Sequence, residues 1–381
     1  MRPSLYSLFE ALVILLLSIF LCEFGYYYLV FHYSCPTWLT IDRELPDANS
    51  TKILVLSDTH IMGAIKSVRI DKLLREWQMK QAYSIINSIY KPEVVIFLGD
   101  LLDEASFSSD ENFKIASRDF SNIFPDTKNQ ERIIIAGNHD VGFHDQIRFN
   151  PYHLQRFHKK YSAAVNIQLI RSATLKSVNI VAINSMSFYN DTCPVCSLAI
   201  GATNKLSSYL EDSRNETMPE YSEPILLTHV PLFRPDDTHC DYPHRLKEKV
   251  QKRNIEGEDV MHEAASRFIL ERIKPRLVLA GHTHMRCTTE HEISDGSTQT
   301  VKELTISSFN QKYAEKTPGF LLLRANSTHL SYHYCTLIEE WVVATIYIAT
   351  ILVVCLRLIK CNAKRSESQL SLNVDNEQVE E

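Results

Sequence analysis

Apolar residues in this chain fall into short unbroken runs, and five of the runs stop at a polar cluster. Ile53-Leu54-Val55-Leu56 leads to Asp58-Thr59-His60, and Val94-Val95-Ile96-Phe97-Leu98 leads to Gly99-Asp100. Ile133-Ile134-Ile135-Ala136 leads to Gly137-Asn138-His139-Asp140. Ile225-Leu226-Leu227 leads to Thr228-His229, and Leu277-Val278-Leu279-Ala280 to Gly281-His282-Thr283-His284. Short branched runs with no alternating polar face predict strands buried on both sides. A polar residue at the end of such a strand falls in a loop at the sheet edge, on a stiff support. Val178 to Ile183 predicts a further strand with no chemical residue at its end.

Longer segments have the helical period instead. From Ser67 to Tyr90, Val68, Leu73, Leu74, Trp77, Ala82, Ile85 and Ile89 share one face. Tyr152 to Tyr161 and Val260 to Ile273 also predict helices, while Ala105 to Asp110 is small and polar and predicts a loop. After His284 the pattern changes. Thr300 to Ser307, Gly319 to Arg324 and His329 to Thr336 predict successive strands, an antiparallel part of a second sheet. Strands alternating with helices, then strands alone, predict an α/β fold of two packed mixed β-sheets flanked by helices.

Two segments lie outside that pattern. Residues 11–31 are almost wholly apolar and long enough to cross a bilayer as a helix. Tyr26, Tyr27, Tyr28 and Tyr33 cluster at the far end as an interfacial belt would, and the single charge, Glu23, lies toward that end. Phe24-Gly25-Tyr26 lacks the small residues of a signal-peptide cut, so the expectation is an uncleaved anchor. A second span is expected over 338–358, where no polar face interrupts Ile346 to Val354. Arg357, Lys360, Lys364 and Arg365 follow it, whereas Glu339 and Glu340 precede it. The positive-inside rule then places 1–10 and 359–381 in the cytosol and the region between the spans in a lumen.

That region divides into a linker, 32–50, and a domain, 51–337. Four glycosylation triplets begin there, at Asn49, Asn190, Asn215 and Asn326. Cys35, Cys193, Cys196, Cys240, Cys287 and Cys335 lie there too, where an oxidising compartment permits disulfides. Cys193-Pro194-Val195-Cys196 has redox or zinc spacing; without a matching second pair, a local disulfide or unpaired thiols are expected. The polar tail from Asn362 to Glu381 is expected to be disordered. A length of 381 residues accommodates a sheet domain of this kind, and a net charge of -6 gives no broad attraction to nucleic acid.

The clusters bring together Asp58, His60, Asp100, Asn138, His229, His282 and His284. Carboxylates, imidazoles and one amide suit a pair of divalent ions, and the absence of thiolates from the set argues against a structural zinc site. A carboxylate such as Asp100 can bridge two ions roughly 3.5–4 Å apart, and such a pair hydrolyses phosphate esters without a covalent intermediate. Singly, each cluster reads as an ordinary turn or cap. Five at five strand ends, in this order, do not.

In order and spacing the clusters resemble the calcineurin-like metallophosphoesterase superfamily, from about Lys52 to His284. The resemblance implies that Asp58, His60 and His284 hold one ion, that Asn138, His229 and His282 hold a second, and that Asp100 bridges them. It implies that His139 protonates the leaving alkoxide, with Asp140 supporting it or serving structure. Purple acid phosphatases, in the same superfamily, carry a tyrosine three residues after the bridging aspartate. Asp103 stands there instead, so two divalent ions are expected, Mn2+ ahead of Zn2+ or Fe2+. The two spans, with Gly137 to His144, Leu98 to Asp103, and Ser308-Phe309-Asn310-Gln311 ahead of Pro318-Gly319-Phe320, resemble a membrane-anchored branch, the glycosylphosphatidylinositol (GPI) ethanolamine-phosphate phosphodiesterases. That resemblance implies removal of ethanolamine phosphate from the GPI-anchor glycan, at ER exit sites, the ER–Golgi intermediate compartment or the cis-Golgi, which would aid export of the cargo. Its implied partners are GPI-anchored proteins, membrane lipid and cargo receptors of the early secretory pathway. A luminal phosphoprotein or nucleotide phosphoesterase on the same metal site is the alternative, and a non-enzymatic cargo receptor the third reading.

Overall fold

The computed structural model describes residues 5–41, 50–65, 67–128, 130–162, 169–175, 178–189, 191, 193–215, 221–240, 253–293, 299–314 and 317–377. The chain forms two compact units, Met1–Val30 with Ile338–Glu381, and Phe31–Leu337.

The strands of the larger unit are β1 (Thr51–Leu56), β2 (Val94–Phe97), β3 (Glu131–Ile134), β4 (Ile170–Leu175), β5 (Val178–Ile183), β6 (Ile225–Leu227), β7 (Leu277–Ala280), β8 (Cys287–Ile293), β9 (Gln299–Thr305), β10 (Gly319–Ala325) and β11 (Leu330–Thr336). They build two sheets, ordered β11-β10-β1-β2-β3 and β4-β5-β6-β7-β9-β8. The helices, in chain order, are α1 (Leu5–Phe20), α2 (Tyr26–Ser34), α3 (Trp38–Ile41), α4 (Arg69–Tyr90), α5 (Asp110–Ile123), α6 (Asn138–Val141), α7 (His144–Phe149), α8 (Tyr152–Tyr161), α9 (Pro194–Asn215), α10 (Glu263–Ile273) and α11 (Glu340–Glu377).

β1, β2 and β3 are parallel, as are β5, β6, β7 and β9. Parallel neighbours end at the same sheet edge. The first sheet therefore delivers three polar clusters at one edge and the second sheet delivers two. Between the sheets, Ile53, Val55, Val94, Ile96 and Ile133 pack in one core with Ile180, Ile225, Leu227, Leu277 and Leu279. The alternate residues Leu54, Leu56 and Phe97 are just as buried, and Phe97 packs edge-on against Phe120 and Phe124. With both faces covered, these strands have no polar side, which accounts for the unbroken apolar runs.

Several elements depart from expectation. β10 and β11 extend the first sheet, with Thr51 paired to Ala325 and Val55 to Leu321; only β9 joins the second. β10 is buried along its whole length, so it takes an interior place between β1 and β11. The helix expected from Val260 begins at Glu263, because Met261 gives its amide to Pro231 and Val260 bonds within the preceding turn. The segment expected as a linker is packed where it is described. Trp38 donates to the carbonyl of Tyr90 (2.6 Å), and the fully buried Arg324 donates to the Trp38 carbonyl and to Ser50 Oγ. Cys35 is bonded to Cys335, Cys193 to Cys196 and Cys240 to Cys287. Asn49 and Asn190 lie outside the described residues; Asn215 ends α9, and Asn326 opens the β10–β11 turn by accepting from the Thr328 and His329 amides.

Leu5–Tyr33 and Glu340–Ala363 are helices long and apolar enough to cross a membrane. The first starts before Ala11, since Leu5, Leu8 and Phe9 already suit it, and a π-helical turn at Leu21–Gly25 interrupts it. Glu23 accepts a hydrogen bond from the Tyr347 hydroxyl (2.6 Å), so the acidic group farthest along the first apolar helix has a partner. The tail expected to be disordered is helical to Glu377. Glu340–Glu377 contains neither proline nor glycine, and its polar half is rich in good helix formers.

Candidate metal centre

Three of the five polar clusters sit on strained backbone. Asp58 (φ 52°), His60 (40°), Asp100 (48°), His282 (72°) and His284 (59°) are left-handed. Among the described residues, the other non-glycine examples are Lys91 and Lys274, which cap the ends of α4 and α10. Each such residue costs roughly 1–2 kcal/mol, so five at one place must be held by their surroundings. Space is also tight. A Cβ at Gly99 (φ +89°) would lie 2.6 Å from His229 Nδ1, and one at Gly137 would lie 2.2 Å from Asp100 Oδ1.

All seven expected ligands converge. His60 Nε2 lies 3.0 Å from His284 Nε2, 3.9 Å from Asp58 Oδ1 and 3.6 Å from Asp100 Oδ2. His284 Nε2 is 3.5 Å from Asp58 Oδ1. On the other side of Asp100, its Oδ2 is 3.4 Å from His229 Nε2, which is 3.1 Å from Asn138 Oδ1. His282 completes that second group with Asp100 and His229. Asp100 thus belongs to both groups, as a bridging carboxylate must. Ring nitrogens and carboxylate oxygens are gathered into two groups that could each hold a metal ion. The residues present fit two divalent ions.

Outer contacts fix the rings. His60 Nδ1 meets Asp103 Oδ1 (3.2 Å), His229 Nδ1 meets the Leu98 carbonyl (2.7 Å), and His282 Nε2 meets the Glu258 carbonyl (2.7 Å). Each contact commits one nitrogen as a donor and leaves the other free for a metal. His139 stands beside the first group, its ring 4.7 Å from that of His60 and partly open to solvent. Its Nδ1 lies 2.8 Å from the Asp103 carbonyl. Of the two places expected for Asp140, the geometry gives the structural one. Its carboxylate accepts from the amides of Leu101, Leu102 and Gly137, tying two ligand loops together, and the partner of the His139 ring is Asp103. Burial and the nearby Asp100 carboxylate push Asp140 up to about 7.

The metal-free site has one strong internal ion pair. Burial alone would lower His229, but Asp100 lifts it to about 9; burial and the His229 charge bring His282 down to about 4. Burial would raise Asp100, but His229 holds it well below the usual carboxylate range. A raised histidine stabilises the fold below its unfolded value of about 6.5, and that contribution is lost as pH climbs through about 9. A depressed aspartate stabilises above its unfolded value, and that contribution is lost as pH falls. The metal-free chain is therefore expected to melt at lower temperature on going from pH 7 to 10. Manganese binding at pH 7.5 should release about one proton, read from the buffer dependence of its binding heat. A heat independent of buffer would show that His229 is already neutral.

Sequence reasoning passed over three parts of this centre. Asp103 was noted only for what it is not, Ser308 and Asn310 only as a local likeness, and Tyr313 not at all. Tyr313 stacks on His60 (4.4 Å between ring centres, 26° between planes), and Asn310 donates to the carbonyls of Thr59 and His60. Both are brought in by a segment some 250 residues away, and no local pattern announces such contacts.

Known proteins agree with the geometry. The calcineurin-like phosphoesterase family profile matches residues 51–286. Metallophosphoesterase 1 of Danio rerio is 32% identical over 377 residues, covering 95% of this chain and 94% of its own length. The protein of that name from Ailuropoda melanoleuca is 33% identical over 354 residues (89% and 86%), and that from Mus musculus 32% over 352 residues (88% and 85%). The likeness thus extends well beyond the strand-end clusters that first suggested it, and the chain belongs to the calcineurin-like phosphoesterase family, as a metal-dependent phosphoesterase.

Proposed function

We propose that this chain is a membrane-anchored dimetal phosphodiesterase that removes ethanolamine phosphate from the glycan of GPI-anchored proteins. One observation carries the reading: a complete metal centre lies in a chain with an apolar helix of membrane length near each end. An enzyme held at a bilayer meets the phosphodiesters of membrane-attached glycans at high effective concentration. Two divalent ions, manganese by preference, would polarise the phosphoryl group and acidify a water.

The chain's own residues do the rest. Asp103 fixes His60 through its carboxylate and His139 through its carbonyl. With Nδ1 committed to that carbonyl, His139 can deliver a proton from Nε2 to the departing alkoxide. The phosphorus–oxygen bond of the ester breaks as the oxygen of water bonds in line behind it.

The basic residues after the second span support a luminal catalytic unit with both termini cytosolic. Asn49, Asn190, Asn215 and Asn326 would then be open to glycosylation. Deglycosylating enzymes should shift the gel mobility of the full chain, and an unshifted band would reverse the orientation. The substrate is tested with the purified full chain and manganese on a panel of GPI glycan, phosphopeptide and nucleotide diester. Release of ethanolamine phosphate from the glycan is expected. Fast hydrolysis of phosphopeptide or nucleotide with the glycan untouched would replace this reading by the phosphoprotein or nucleotide one.

A further inference from the structure

The first ligand group rests on a turn that an isolated chain would not keep. Asp58 and His60 are both left-handed, with only Thr59 between them. Glycine is absent from this turn, so its conformation is imposed from outside.

The imposition is two-sided. On one side the amides of Asp58, His60 and Ile61 donate to the carbonyls of Gly99, Asp100 and Leu101, the loop that carries the bridging carboxylate. On the other side, four successive carbonyls of the turn meet three successive residues. Phe309 N donates to the Ser57 carbonyl (2.9 Å) and Ser308 Oγ to that of Asp58 (2.7 Å). Asn310 Nδ2 donates to those of Thr59 (3.0 Å) and His60 (3.2 Å). The amide of Asn310 has one workable orientation, since its Oδ1 accepts from Lys312 N (3.1 Å). Ser308, Phe309 and Asn310 are wholly buried. Three residues further on, Tyr313 lies flat on the His60 ring and edge-on to His284 (5.9 Å).

We propose that Ser308–Asn310 is a positioning clamp that sets the affinity of the first metal group by holding Asp58 and His60 in their left-handed turn. The inference rests on the reading of these residues as a metal centre, and it assigns the clamp no contact with substrate. Without the Asn310 amide, two carbonyls lose their donors inside a dry interior. The turn then gains from relaxing toward ordinary backbone, which carries the Asp58 and His60 donors away from Asp100 and His284. The second group keeps His229 and Asn138, which stand on other loops, and meets the change only through Asp100 and through the His282 amide, which donates to the Asp58 carboxylate (3.0 Å).

The test is manganese binding to the metal-free full chain, followed by the electron paramagnetic resonance signal of a spin-coupled pair and by the uncoupled bound ion. For Asn310→Ala, the manganese needed to form the pair should rise about 10- to 100-fold, the usual cost of losing a residue that orients a ligand. The single ion of the second group should weaken far less than the pair, because His229 and Asn138 do not touch the turn. Excess manganese should restore hydrolysis of a small diester, which a merely misfolded variant would not allow. Ser308→Ala, which keeps the amide, should shift the same curve in the same direction by less, and it decides the matter if Asn310→Ala does not fold. Unchanged pair formation in a folded variant would overturn the clamp alone. A wild-type chain that forms no pair would overturn the metal centre, and the clamp with it.

Discussion

Asp100→Ala should abolish hydrolysis, lowering kcat/KM about a thousandfold or more. Metal stabilisation of a phosphoryl transition state is worth several kcal/mol, and each ~1.4 kcal/mol is a factor of ten. The expectation follows from position. Oδ2 of Asp100 stands 3.6 Å from His60 and 3.4 Å from His229, and among the described residues Asp100 is the carboxylate that belongs to both groups. Its Oδ1 accepts from the backbone amide of His139 (2.7 Å), so the same substitution frees the residue expected to donate the proton. It also leaves His229 without the neighbour that keeps it charged. Metal content measured alongside activity should fall for both ions. A variant that kept its rate would show that the reaction does not use this centre.

His139→Ala should behave differently. Its ring is not one of the seven expected ligands, so both ions should stay. What is lost is a proton donor beside the leaving group, worth about 10²- to 10⁴-fold in kcat with KM little changed. The loss should depend on the ester. A 4-nitrophenolate leaves without help and should suffer little, whereas an alkoxide leaving group should bear the full penalty. An equal loss for both would mean that His139 positions substrate rather than protonating it.

The reach of sequence reasoning had a physical limit. Five apolar runs located five of the strands, because burial on both faces writes itself into composition; the ends of those runs located the seven side chains that converge. Helices α5 and α9 were missed; in Asp110–Ile123 the buried positions Phe113, Ala116, Ser117 and Phe120 do recur at helical spacing, but two of the four are small or polar and leave the apolar face thin. The sheet assignment of β10 was misread because it depends on pairing with a strand some 270 residues earlier, and a run of leucines does not say which neighbour it will choose. Asp140 could not be placed either: two of its three amide partners, Leu101 and Leu102, belong to a loop whose approach only the fold determines.

The place of β10 beside β1 also bears on synthesis. β1 pairs with β2 on one edge, but its other edge stays open until Leu321 to Ala325 have left the ribosome. The clamp on the Asp58–His60 turn arrives only shortly before that. A nascent chain cut off near Met285 would hold every ligand and yet neither close its first sheet nor lock its first turn. Until then β1 presents an unpaired strand edge, the kind of edge that other chains can pair with.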